Sequence, residues 1–153
     1  MKILLAIDGS PSSEAAVDEV CRRPWPAQTE VRLLIVDAPL DSPLLRTSTT
    51  VFDELVAQQR AELLNYLDAA ADKIRQAAPD LIITPILREG SPKEVIVQEA
   101  EEWRADLIVV GSHGRGPLSR LFLGSVSLAV ATRAPCSVEI VRTPKAASSK
   151  EAT

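Results

Sequence analysis

The sequence predicts an α/β fold: a single-domain, doubly wound parallel sheet with helices on both faces. Two observations carry this. Five apolar, β-branched runs alternate with four segments of helical periodicity, the alternation that builds parallel sheets. The core must also be aliphatic, because 46% of the 153 residues are hydrophobic but only 3% are aromatic. Strands covered on both faces draw on Val, Ile and Leu in this way. The length suits one domain with a core of its own.

The first strand is KILLAI (2–7), followed by Asp8-Gly9-Ser10. A helix opens after Ser10-Pro11, with proline suited to its first turn, and stops at Arg22-Arg23-Pro24. EVRLLIV (30–36) is the second strand, and 38–50 (APLDSPLLRTSTT) a loop without periodicity. The second helix runs from about Val51 to Ala78; Phe52, Leu55, Val56, Leu63, Leu67, Ala70, Ile74 and Ala77 predict one apolar stripe along it. LIITPIL (81–87) is the third strand. Ser91-Pro92-Lys93-Glu94 reads as a capping box opening the third helix, whose buried face is Ile96, Ala100 and Trp103. DLIVVG (106–111) is the fourth strand. The last helix begins near Gly124-Ser125 and passes through Val126, Ala129 and Val130 to Ala134-Pro135; SVEIVR (137–142) is the fifth strand. The domain spans 1–143, and the polar segment 144–153 predicts a disordered tail.

Charge narrows the function. A net charge of −4 argues against a nucleic-acid-binding face, and no apolar run approaches the ~20 residues of a membrane span. Cys21 and Cys136 show no ligand-like grouping and read as reduced core thiols of a cytoplasmic protein.

The chemistry concentrates in GSHGRGPLSRLFLGS (111–125), which carries the chain's one histidine. Between Leu107 and Val138 no carboxylate occurs, while His113, Arg115, Arg120 and Arg133 do. Gly111 and Gly114 offer φ > 0 and open N–H groups for close approach by a phosphate. Gly124-Ser125 places the start of the last helix where an anion is favoured, and Ser125 and Ser127 add hydroxyl donors. Tight turns alone, with Ser125 as a helix cap, would also account for these residues. If the first strand lies centrally, Asp8 at its carboxyl end joins the same crevice. Beside phosphates, its carboxylate suits ribose hydroxyls or a divalent cation; hydrogen bonding to its own turn is the alternative. His113 has no evident catalytic partner. There is no GxxxxGK[ST], GxSxG or HExxH, and GxxGxG in a fourth βα loop does not fit the dinucleotide fingerprint.

These residues resemble a known family, the universal stress proteins, whose nucleotide-binding branch carries G-x2-G-x9-G-[ST] after the fourth strand. Gly111, Gly114, Gly124 and Ser125 match it with every spacing kept. ILLAIDGSPSSEAAV, LLIVDAP, EGSPKEVIVQEAEEWRADLIVVGSHGRG and CSVEIVR resemble the family's other segments in order, over roughly Lys2 to Arg142. The resemblance implies strand order 3-2-1-4-5 and a homodimer joined through the last strand (Ser137 to Arg142). It also implies an ATP site. Ala6 and Asp8 would meet adenosine, Asp8 near the ribose, and Val36 and Val110 would pack on adenine. Gly111, Gly114, Gly124, Ser125 and Val126 would line the triphosphate, with His113, Arg115 and Ser127 as further contributors and Mg²⁺ or Mn²⁺ accompanying the phosphates. The family often has His where Ile35 stands. The implied function is an ATP-linked regulatory protein of the stress response, with AMP or cyclic AMP as open alternatives for the ligand. A slow ATPase or phosphotransferase and a protein-interaction module are the competing readings. The absence of a positioned base or P-loop lysine weighs against the enzyme.

Overall fold

The computed structural model describes residues 1–39, 49–114 and 123–143. Strand and helix alternate as β1 (Lys2–Ile7), α1 (Pro11–Arg22), β2 (Glu30–Asp37), α2 (Thr49–Ala77), β3 (Ile82–Glu89), α3 (Pro92–Trp103), β4 (Leu107–Gly111), α4 (Ser125–Arg133) and β5 (Ser137–Val141). All five strands form one sheet in the order β3-β2-β1-β4-β5, every neighbouring pair parallel. This is the sheet expected from the alternation, in the order the resemblance implies.

β1 is central because it can be buried on both faces: Ile3, Leu4 and Leu5 have no exposed surface. Side chains alternate across a strand. Ile3, Leu5 and Ile7 therefore pack with Ala16, Val17 and Val20 of α1 and Leu67, Ala71 and Ile74 of α2. Leu4 and Ala6 pack on the opposite face with Ile96 and Ala100 of α3 and Val130 of α4. The chain leaves β1 toward one face and β4 toward the other, so a crevice opens between their carboxyl ends.

Several local expectations are corrected. The apolar stripe of α2 is buried only in its C-terminal half, at Leu67, Ala70, Ala71 and Ile74. Leu55 and Val56 are exposed, as is Ala77. The helix has 29 residues and outruns the sheet it packs on, so periodicity persists where the described residues offer no covering partner. The capping box at α3 does not form either: the Ser91 hydroxyl makes no cap bond, and its carbonyl receives Glu94 N–H at 3.0 Å and Val95 N–H at 2.9 Å. Glu99, on the inner side of α3, is buried; it is held by Arg32 and Arg88, and the Arg32 guanidinium stacks 4.4 Å above Trp103. Both cysteines are free, and burial pushes each thiol upward. They lie at the partly buried fringe, Cys21 against one core cluster and Cys136 against the other. The tail 144–153 and most of the loop 38–50 lie outside the described residues.

Candidate functional site

The crevice at the carboxyl ends of β1 and β4 is walled by elements of both faces. Ala6, Ile7 and Asp8 close it from β1, Leu34 and Val36 from β2, and Val110 and Gly111 from β4. Pro92 and Ile96 enter from α3, Val126 and Ser127 from α4, and Ser10, Ser13, His113 and Gly114 from the flanking turns. It encloses about 100 Å³ of largely apolar space. Asp8 is the one carboxylate among the described residues that line it.

The floor is tied together by serines. Ser10 is the N-cap of α1, its hydroxyl accepting from Ser13 N–H at 3.2 Å while donating to the His113 carbonyl at 3.1 Å. Ser12 donates to the same carbonyl and accepts from His113 N–H at 3.1 Å. The start of α1 is thus stitched to the turn after β4, although 101 residues separate Ser12 from His113. Gly9, at φ 78°, turns the chain from β1 into α1, a conformation that suits glycine. Asp8 Oδ1 accepts from Ser10 N–H at 2.9 Å, which is the turn bond weighed for it. Tyr66 of α2 stands behind Ser13 and hydrogen-bonds Glu14; burial first, and then that bond, push its phenol well above the ordinary value.

The expected glycine chemistry takes another form. Neither Gly111 nor Gly114 adopts positive φ. They are needed for space: a Cβ on Gly111 would lie 2.6 Å from the Ser12 carbonyl carbon and 2.7 Å from Ser13 N. On Gly114 it would meet Asp8 Oδ2 at 3.0 Å, and on Gly124 the Ser112 oxygen at 3.0 Å. The Gly124 N–H is engaged by Ser112 O at 2.8 Å. Ser125 is the first residue of α4 and not its cap; the cap is Gly124, which has no side chain to offer. The first helical bond is Leu128 N–H to Gly124 O, so the N–H groups of Ser125, Val126 and Ser127 precede the ladder. The Ser127 hydroxyl is not the spare donor expected, since it donates to Gly111 O at 2.6 Å. His113 turns Nδ1 to Ser112 Oγ at 2.9 Å, while its buried Nε2 has no hydrogen-bond partner among the described residues.

Of the residues singled out from sequence, Ala6, Asp8, Val36, Val110, Gly111, His113, Gly114, Val126 and Ser127 meet in this crevice. Gly124 and Ser125 do not line it, and Arg115 lies outside the described residues. Arg133 points elsewhere and donates to the Lys93 carbonyl at 2.6 Å. Sequence reasoning missed Ile7, Ser10, Ser13, Leu34, Pro92 and Ile96. The signals were the serine-rich start of α1 and the proline opening α3, both at helix N-termini on the ligand side of the sheet. No group of three or more residues able to hold a metal occurs among the described residues.

Residues 1–142 match the model of the Universal stress protein family. The chain belongs to the universal stress protein family. It is 38% identical over 144 residues to the universal stress protein in the QAH/OAS sulfhydrylase 3'region of Thermus aquaticus, covering 92% of this chain and 97% of that one. It is 32% identical to universal stress protein Rv1996 of Mycobacterium tuberculosis, but spans only 44% of that protein's length. Among solved structures, the hypothetical protein MJ0577 superposes with a TM-score of 0.82 at 27% identity, covering 95% of this chain and 97% of that chain. A universal stress protein solved in complex with cAMP superposes with a TM-score of 0.67 at 26% identity, over 94% of this chain and 98% of that one.

Proposed function

We propose that this universal stress protein binds an adenine nucleotide, ATP in the first instance, in the crevice between β1 and β4, and acts as a nucleotide-linked regulatory protein of the stress response. One observation carries the reading: the crevice joins an apolar slot to an uncapped helix N-terminus. Leu34, Val36, Val110 and Ile96 supply flat apolar walls suited to a base. On the α4 side, the unladdered N–H groups of Val126 and Ser127, which line the crevice, and the dipole of α4 favour phosphate oxygens. No carboxylate stands in the sequence from Leu107 to Val138 to oppose them.

Backbone direction supports the same orientation. Gly90 N–H donates to Asp37 O, so Asp37 faces β3 and, by alternation, the Val36 carbonyl faces β1. The last pair of β1 with β2 is Ile7 with Ile35, which leaves that carbonyl at the strand's end, where an exocyclic amine could reach it. Asp8 would take the ribose between the two ends. Mg²⁺ or Mn²⁺ accompanying ATP would draw its oxygen ligands from the phosphates and water, because the described protein groups form no cage.

The wider reading places the protein in the cytoplasm as a homodimer through β5. No helix among the described residues is long and apolar enough to cross a membrane. Among the described residues β5 pairs only with β4, and an edge strand of this kind is a natural pairing surface.

The test uses freshly purified, undialysed protein. It is denatured, and released nucleotide is identified by chromatography and mass spectrometry. Near-stoichiometric ATP is the expected result; ADP as the only released nucleotide would favour turnover and overturn a purely regulatory site.

A further inference from the structure

The sheet has two edges, β3 and β5. Each turns a row of backbone N–H and C=O groups away from its neighbour, a template on which another strand can pair. The two rows differ. In β3, Ile82 N–H donates to Thr29 O at 3.0 Å and Gly90 N–H to Asp37 O at 3.1 Å. Backbone direction alternates along a strand, so Thr84, Ile86 and Arg88 also face β2, while Ile83, Pro85, Leu87 and Glu89 face outward. Pro85 thus stands inside the outward row. Its missing N–H costs no ladder bond there, but it leaves a gap in the donors an incoming strand needs. Both ends of the row are guarded as well. Arg75 Nη2 of α2 reaches the outward Ile83 carbonyl at 3.5 Å, and Glu89 sets a charge at the far end, ion-paired with Arg60 of the same helix.

The outward row of β5 carries no such guard among the described residues. Ser112 N–H donates to Val141 O, so Val138 and Ile140 face outward, and no proline interrupts Ser137–Val141. The backbone of Glu139 faces β4, and its carboxylate is tied to Arg23 by bonds of 2.6 and 2.8 Å. At β3 an open edge would be apolar as well as unpaired, because Ile82 is 53% exposed and Ile86 and Leu87 are only half-buried. We infer that Pro85 closes the β3 edge to other copies of the chain, so that assembly through β5 stops at a dimer. This rests on the homodimer reading and deepens it. Two-fold pairing consumes the β5 edge of both chains, whereas a second competent edge would let dimers join into open arrays.

The test is sedimentation velocity over matched concentrations on wild type, Pro85→Val, Thr84→Val and the double variant Pro85→Val with Ile140→Pro. Wild type is expected to sediment as a dimer. Pro85→Val restores the missing N–H and adds a β-branched side chain, so its mean mass should rise with concentration to at least about twice the wild-type value. Thr84→Val puts the same side chain at an exposed position whose backbone faces β2, and should keep the wild-type mass. The double variant has only its β3 edge open and should stop at a dimer. Pro85→Ala restores the N–H without the apolar branch; it should shift the mass in the same direction and stands in if Pro85→Val fails to fold. A wild-type mass for the Pro85 variants at every concentration, or equal growth by Thr84→Val, overturns the closing role of Pro85. A monomeric wild type overturns the homodimer reading instead, and growth of Pro85→Val from that monomer to a dimer would still uphold the role of Pro85.

Discussion

Gly111→Ala is the most exacting test of how the site is held. The added methyl would sit 2.6 Å from both the Ser12 carbonyl carbon and the Ser12 hydroxyl, and 2.7 Å from Ser13 N. These are mostly backbone atoms, and the segment is fixed by Ser10 and Ser12 bonds to the His113 carbonyl. Relief therefore requires α1 and the turn after β4 to separate. Overpacking costs about 1–3 kcal/mol where side chains can yield, and rigid backbone places this case at the upper end, about 3 kcal/mol. For a domain of this size each kcal/mol moves the melting temperature by about 2–4 °C, so a fall of about 6–12 °C is expected. Gly124→Ala, which meets backbone at 3.0 and 3.2 Å, should lose about 1 kcal/mol. Gly114→Ala meets, among the described residues, only the far end of Asp8 and should cost less than that. Thermal melts of the three variants check the order. A loss below about 2 °C for Gly111→Ala, or Gly114→Ala as the worst of the three, would refute the packing argument.

Other consequences follow from the same structure. Ser10→Ala removes the side-chain cap of α1 and a bond to the His113 carbonyl, and should cost about 1–2 kcal/mol by urea denaturation. Ser91→Ala, whose hydroxyl caps nothing, should be close to neutral in the same assay. Glu99→Ala leaves the half-buried Arg32 guanidinium and the exposed Arg88 without their shared carboxylate and should lose about 1–3 kcal/mol; an unchanged denaturation midpoint would show the pair to be dispensable. Tyr66 is the chain's single tyrosine, so phenolate absorbance reports it alone. The fold favours the neutral phenol, so this contribution is complete below the ordinary value of 10.0 and is lost as pH rises toward the raised folded value. A native titration midpoint at or below 10.0 contradicts this. Ser112 N–H donates to Val141 O, so Val141 faces β4 and the backbone of Ile140 faces the open edge. If β5 joins two subunits, Ile140→Pro should yield monomers by sedimentation with the far-ultraviolet spectrum retained, and an unchanged dimer mass would refute pairing through that edge.

What was legible in the sequence follows the physics of each element. ILLAI (3–7) and LIVV (107–110) are apolar without interruption because β1 and β4 are covered on both faces, and such runs declare themselves. β3 is harder. It extends through Arg88 and Glu89, polar residues tolerated because it is an edge strand whose length is set by pairing Asp37 with Glu89. The stripe of α2 states which side of the helix can be buried but not how far the sheet reaches. At the site, the spacing of Gly111, Gly114 and Gly124 marked the loop, while the reason for glycine there emerged only from the approach of α1. Ser10, Ser13, Pro92 and Ile96 come from helices whose convergence is a property of topology, and no local pattern announces it. The commitment of the Ser127 hydroxyl to Gly111 O belongs to the same class of fact.

The central claim is that the crevice between β1 and β4 holds an adenine nucleotide. A calorimetric titration of nucleotide-stripped protein with ATP in the presence of Mg²⁺ tests it most directly. Saturable binding at one site per chain, weakened at least about tenfold when Gly124 is replaced by Leu in a variant that still folds, is the predicted result. A flat trace up to millimolar ATP, or the same affinity in the Gly124→Leu variant, would contradict it.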